Sequence, residues 1–209
     1  MSPTLSAIDA VLKLVNREVW IVTAASGERR GGLCATYVSA ASIDPERPVI
    51  VAGLAPNHFT AELVQAAGYF GLHLLRRDQA ALALNFALGS GRERDKFAGL
   101  AMQLGSNGVP LLADCLASLE CRIVARYDGG DRWYYWADVL NGHQVATDEP
   151  LREQDLLAAA SAEQKQQLIQ NRRDDSALLR PLHDHWRGKQ SIREPKPLAP
   201  ESTRVRPRR

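Results

Sequence analysis

The run GGLCATYVSAASIDP, residues 31–45, is built almost wholly from small, β-branched and turn-forming residues and carries one charge, Asp44. A core strand needs bulk and a loop needs polarity. This run supplies neither, so something other than protein side chains is expected to fill the space against it. A strand of small residues lets another group approach its backbone N–H donors closely, which is hydrogen-bonding chemistry rather than acid–base chemistry. The competing reading is a strand of small residues packed under a helix. Ser39 and Ser42 alternate out of the same strand, and Asn57, His58 and Thr60 lie on a loop that leads into a helix start. Helix starts leave N–H groups unpaired and so attract anions. Strand satisfaction of Ser42 and helix capping by Thr60 are the plainer alternatives.

Other machinery is missing. No GxGxxG follows a strand (GSGRER, 89–94, keeps only its first two glycines), and there is no GxxxxGK[ST], HExxH or GxSxG. Cys34, Cys115 and Cys121 form no CxxC, and His183 and His185 read as surface residues on a charged helix end, so no metal site is expected. An odd cysteine count fits a reducing, cytoplasmic setting. No apolar run is long enough for a membrane span, and the N-terminus lacks the pattern of a signal peptide. The net charge of +2 is uneven: residues 186–209 carry eight Lys or Arg against two Glu, which leaves the remaining chain at −4. A basic footprint across the whole domain is absent, and nucleic acid is not an expected partner.

The elements that must position these residues can be read from periodicity. Residues 5–15 have helical spacing, VWIVTAAS is a strand closed by the turn GERRGG, and residues 31–45 supply a second strand. PVIVAGLA is a buried strand, HFTAELVQAAG a helix closed by Gly68, and YFGLHLL a strand. DQAALALNFALG is a helix that Asp78 can cap, and ERDKFAGLAM a short helical turn segment. Residues 117–146 form a hairpin around Asp-Gly-Gly-Asp, within which WYYW (133–136) alternates between its two faces. Mostly antiparallel strands with inserted helices predict a mainly β fold, a small Greek-key-like barrel. Residues 1–149 read as this barrel domain, 150–190 as a C-terminal helical extension, and 191–209 as a basic, Pro-rich disordered tail.

Residues 31–45 resemble the signature of the flavin reductase-like family of FMN-binding split barrels, with Gly32, Ala35, Ser42, Asp44 and Pro45 matching and Leu33, Cys34, Thr36, Val38, Ser39 and Ile43 near-equivalent. The resemblance continues in register through residues 48–75, 95–99, 108–112, 119–132 and 137–140. It implies a non-covalently bound FMN, with FAD as the variant. Leu33, Cys34, Ala35 and Thr36 would present backbone donors to the flavin ring, and Thr60, Lys96 and Phe97 match positions that approach the flavin. Its phosphate would find Ser39, Ser42, Asn57, His58 and Thr60. Arg132 stands where relatives carry His, either gripping a phosphate of the nicotinamide dinucleotide or marking a different reductant.

The implied activity is hydride transfer from NADH or NADPH to flavin by a homodimer, with a monooxygenase or another electron acceptor downstream. A flavin-binding electron carrier without that activity is the alternative, as is an interaction protein that uses the barrel as scaffold. Split barrels that oxidise pyridoxamine phosphate or degrade haem are a further, weaker alternative.

Overall fold

The computed structural model describes residues 3–190, so the tail expected over 191–209 lies outside the described residues. Helix α1 (Pro3–Leu12) leads into β1 (Trp20–Ser26), which turns back as β2 (Arg29–Ala35). Strand β3 (Val38–Ala40) and β4 (Val49–Leu54) follow, then α2 (Phe59–Ala67), β5 (Tyr69–Leu74) and α3 (Ala80–Ala87). A small hairpin of β6 (Met102–Leu104) and β7 (Pro110–Leu112) precedes the long hairpin of β8 (Ala117–Asp128) and β9 (Trp133–Gln144). The chain then forms α4 (Glu153–Ala159) and α5 (Ala162–Lys189).

Seven strands form one antiparallel sheet in the order β2-β1-β5-β8-β9-β4-β3. Residues 31–45 are therefore not one strand. They pair with β1 as far as Ala35, break at Thr36–Tyr37, and resume against β4. The two outermost strands are thus consecutive in the chain, and a bond from Gly53 N–H to the Tyr37 carbonyl (2.8 Å) spans the break. The curled sheet closes into a half-barrel through the stretch that the sequence marks as unusual.

Strand β1 is buried on both faces because helices cover its outer side. Val22 and Ala24 join Leu33, Leu63, Phe70, Leu72 and Tyr135 inside the sheet. Val19 and Ile21 face a second cluster with Phe86, Phe97, Leu151 and Leu156. Close packing also explains the glycines of β2. A Cβ on Gly32 would lie 2.4 Å from Phe86 Cε1, and one on Gly31 would lie 2.9 Å from Leu63 Cδ1. At these two positions small size serves the packing of α2 and α3.

Two local expectations are corrected. Asp78 does not cap α3: Gln79 occupies the N-cap, and Asp78 pairs with Arg76 at 3.2 Å. Residues 93–101 form successive turns rather than a helix, since the Asp95 side chain accepts from Phe97 N–H (3.0 Å) and Gly99 takes a left-handed φ of 76°. In WYYW, Tyr135 is fully buried and Trp133 packs beside it, while Trp136 on the opposite face is exposed.

Candidate functional site

Helix α2 begins where β4 ends, and Gly68 closes it in the left-handed conformation that its C-cap requires. This sets Asn57 and His58 beside β2. A loop from α3, residues 88–101, crosses the same end of the barrel. Arg94 anchors that loop by donating to Asn85 Oδ1 (2.8 Å) and to the Leu88 carbonyl (3.0 Å). Helix α5 approaches from the far side. The result is a cleft of about 330 Å3 among β2, the start of α2, the 88–101 loop and α5.

Leu33, Cys34, Asn57, His58, Thr60 and Lys96 all line this cleft. Others of the sequence-derived set do not. Ala35 is buried in the core, and Thr36 sits at the break between β2 and β3. The Ser39 hydroxyl donates to the Ala40 carbonyl (3.3 Å) on an exposed strand. The Ser42 hydroxyl donates to the Arg47 carbonyl (2.8 Å) and accepts from Val49 N–H (3.1 Å), bracing its own loop. Phe97 is buried edge-to-face against Phe86, with centroids 5.3 Å apart, and so supports the cleft from behind. Arg132 lines a neighbouring cavity.

The cleft's charges have definite causes. Lys96 is buried, and its Nζ donates to the Phe86 carbonyl at 2.8 Å. Burial, with nearby Arg94 adding, pushes its ammonium down to about 8. Burial pushes the Cys34 thiol up to about 12; Glu153 adds to this and Lys96 opposes it. Cys34 is therefore a neutral thiol near pH 7, not a thiolate nucleophile. The Asp175 carboxylate accepts from His58 Nε2 (2.9 Å) and Asn57 Nδ2 (2.8 Å), and these bonds, the His58 bond foremost, hold it below the usual carboxylate range. Among the described residues Asn57 Oδ1 is buried without a donor.

A family model described as a flavin reductase like domain matches residues 12–160. The chain belongs to this family. The diflavin flavoprotein A 1 of Synechocystis sp. is 32% identical to this flavin reductase-like chain over 147 residues, covering 70% of the chain and 25% of the relative. The chain thus spans about a quarter of that relative's length. Among solved structures, nitrilotriacetate monooxygenase component B from Mycobacterium thermoresistibile superposes with a TM-score of 0.62 at 26% identity, covering 70% of this chain and 83% of that one. The FMN-binding protein of Thermus thermophilus superposes with a TM-score of 0.58 at 25% identity, covering 62% and 71%. The flavin reductase-like barrel is the architecture that the sequence led us to expect.

Sequence reasoning missed several contributors to the cleft, Arg92, Asp174 and Asp175 among them. Arg92 stacks on the Phe59 ring (5.3 Å), donates to the Asn57 carbonyl (3.4 Å) and pairs with Glu62. Its signal was GSGRER, a glycine-rich loop with cations that matches no nucleotide fingerprint. Asp174 and Asp175 come from α5, beyond the family-matched residues, and nothing local marks them as site residues. His183, expected on the surface, is half-buried and stacks on Trp186 with centroids 5.6 Å apart. Among the described residues no cluster of three His, Cys, Asp or Glu suits a metal, and no helix is long and apolar enough to cross a membrane.

Proposed function

We propose that this chain binds FMN in the cleft non-covalently and catalyses reduction of flavin by NADH or NADPH. The observation that carries the reading is the convergence of Leu33, Cys34, Asn57, His58, Thr60 and Lys96, drawn from three separate segments, on one cleft within the family-matched region. The cleft's chemistry fits the cofactor. Asn57 Oδ1 is a buried acceptor that lacks a donor among the described residues, which a ring N–H or a ribityl hydroxyl can satisfy. Lys96 keeps two N–H donors beyond the one given to Phe86, and Arg92 adds a second cation, so a phosphate monoester has charge partners.

A bound flavin would supply the acceptor for a hydride, the hydrogen together with its C–H electron pair, given up by the dihydronicotinamide as it becomes the nicotinamide cation. The chain's own part is binding and placement. Leu33 and Cys34 line one wall, the Asn57 and His58 side chains are steadied by Asp175, and Phe97 backs the Phe86 ring. No side chain is assigned as general acid or base, since the reaction requires none.

The monooxygenase component among the structural relatives supports an acceptor of the same kind downstream. Homodimerisation belongs to the same proposal. The deciding experiment records the visible spectrum of the protein with FMN under anaerobic conditions, before and after adding NADH or NADPH. Bleaching of bound flavin is expected. Bound flavin that stays yellow with both donors would leave a carrier without reductase activity, and no flavin binding would end the reading.

A further inference from the structure

Beside the cleft lies a second cavity, of about 400 Å3, that shares Asp175 with it. One wall is a face of α5, where Arg172, Ser176, Leu179, Arg180 and His183 recur at helical spacing. The facing wall is Arg132, next to β9, and Tyr37 at the break between β2 and β3. This α5 wall begins after residue 160, where the family match ends, so it is an addition of this chain to the shared barrel.

Three guanidiniums line this cavity against two carboxylates. Arg30, Arg92 and Arg122 are each paired with an acidic side chain, whereas among the described residues Arg132, Arg172 and Arg180 form no salt bridge. The Arg132 guanidinium donates to the Asp131 carbonyl (3.0 Å) and lies 5.5 Å from the Tyr37 ring centroid. Two carboxylates also line the cavity, Asp131 and Asp175, but the oxygens of Asp175 are already engaged by Asn57 and His58. Positive charge is left over.

The two walls are held in place against each other. Gly130 has a φ of 87°, and a Cβ there would lie 2.8 Å from His183 Cα, so the β8–β9 turn carrying Arg132 sits directly on the backbone of α5. Arg172 and Arg180 are two turns apart, about 12 Å along the helix. That spacing, with Arg132 on the facing wall, suits an extended ligand carrying several phosphates, and guanidiniums are the side chains best shaped to hold phosphate oxygens.

We propose that this cavity holds the phosphate-bearing part of the nicotinamide dinucleotide, with Arg132, Arg172 and Arg180 as its anchors and the nicotinamide end directed past Asp175 into the cleft. The assignment to the reductant rests on reading that cleft as the flavin site. It makes α5 a substrate-binding element and gives Arg132 a role in dinucleotide placement.

The test separates the two readings. ADP-ribose and its 2′-phosphate are titrated calorimetrically into the full chain, the Arg172→Gln/Arg180→Gln double variant and Arg173→Gln, whose exposed side chain is not part of the cavity wall. Affinity for FMN and FAD is measured in parallel by flavin fluorescence. Both fragments are expected to bind the unaltered chain, about ten-fold or more weakly in the double variant, and unchanged in Arg173→Gln. Affinity for both flavins is expected to be the same in all three proteins. Failure of either fragment to bind the unaltered chain, or equal loss in Arg173→Gln, overturns the site. Loss of FAD affinity but not FMN affinity in the double variant assigns the held phosphates to the flavin and overturns the reductant. Fragment binding that depends on Arg172 and Arg180, in a chain that binds no FMN, upholds the phosphate site and removes the flavin reading alone.

Discussion

His58 Nε2 and the Asp175 carboxylate, 117 residues apart in the chain, meet at 2.9 Å across the mouth of the cleft. With the 2.8 Å bond from Asn57 Nδ2, this contact fastens α5 to the start of α2. Helix α5 fully buries one side chain, Leu179, over its 28 residues and packs Leu168 against the second cluster, so its docking rests on these two side chains, a few polar contacts and the Gly130 seat.

Asp175→Ala is therefore expected to loosen α5 while leaving the barrel folded. The contact is worth about 1–3 kcal/mol as a charge-assisted pair of hydrogen bonds. Hydrogen–deuterium exchange should rise across residues 170–183 with little change in β1 and β5; uniform protection would show that the helix is held elsewhere. Since the folded-state pKa of Asp175 is depressed, its contribution is present above 3.8 and falls away as pH drops below that value.

Lys96 should give flavin binding a pH dependence on the alkaline side. Its ammonium is pushed down to about 8, so the charge facing a phosphate is lost as pH rises through that value. FMN affinity is expected to weaken between pH 7 and pH 9. In Lys96→Met it should be weaker at pH 7 and flat over the same range. A parallel slope in both proteins would place the titrating group elsewhere.

His73 makes the fold sensitive to acid. It is fully buried, its Nδ1–H donates to the Ile21 carbonyl (3.2 Å), and its Nε2 accepts from Leu112 N–H (3.0 Å), which requires the neutral ring. Burial pushes its pKa from 6.5 down to about 4. The unfolded chain thus binds the proton more readily: stability is full above pH 6.5 and is lost as pH falls from there towards 4. The loss amounts to about 3 kcal/mol at the lower limit. Urea unfolding at pH 7 and pH 5 measures this, and His73→Gln should flatten that part of the profile.

Gly32→Ala tests whether small size on β2 serves helix packing. Its Cβ would meet the Phe86 ring at 2.4 Å, and Phe97 blocks the ring's retreat. Overpacking of this kind costs about 1–3 kcal/mol and lowers Tm by about 2–4 °C per kcal/mol. Adding Phe86→Leu should recover part of the loss. An unchanged Tm in the single variant would mean that the space is open.

Cys34 should resist alkylation. With its thiol pushed up to about 12, iodoacetamide at pH 8 is expected to label it slowly in the folded chain and rapidly in urea. Fast labelling of the folded protein would reveal a more polar surrounding at the cleft wall.

Much of this molecule was legible in local chemistry. Asp-Gly-Gly-Asp between two aromatic, β-branched runs marked the β8–β9 hairpin, Gly68 marked the end of α2, and the collinear motifs marked the flavin reductase-like barrel. Turn propensity, hydrophobic period and capping operate within a few residues, so a sequence displays them directly. The turns over 93–101 escaped because a helical period there is overridden by the Asp95 side chain and Gly99.

By itself, then, the sequence determined most of the elements, their order and the family, but not the β6–β7 hairpin or the turns over 93–101. Tertiary structure decided that residues 31–45 split at Thr36–Tyr37 to join opposite ends of the sheet, that Gly31 and Gly32 are small for α2 and α3, and that Asp175 and Arg172 from α5 reach the barrel's mouth. The reason is physical. Which faces meet is settled by register and close packing summed over the whole chain, and contacts such as His58–Asp175 leave no trace in the neighbours of either residue.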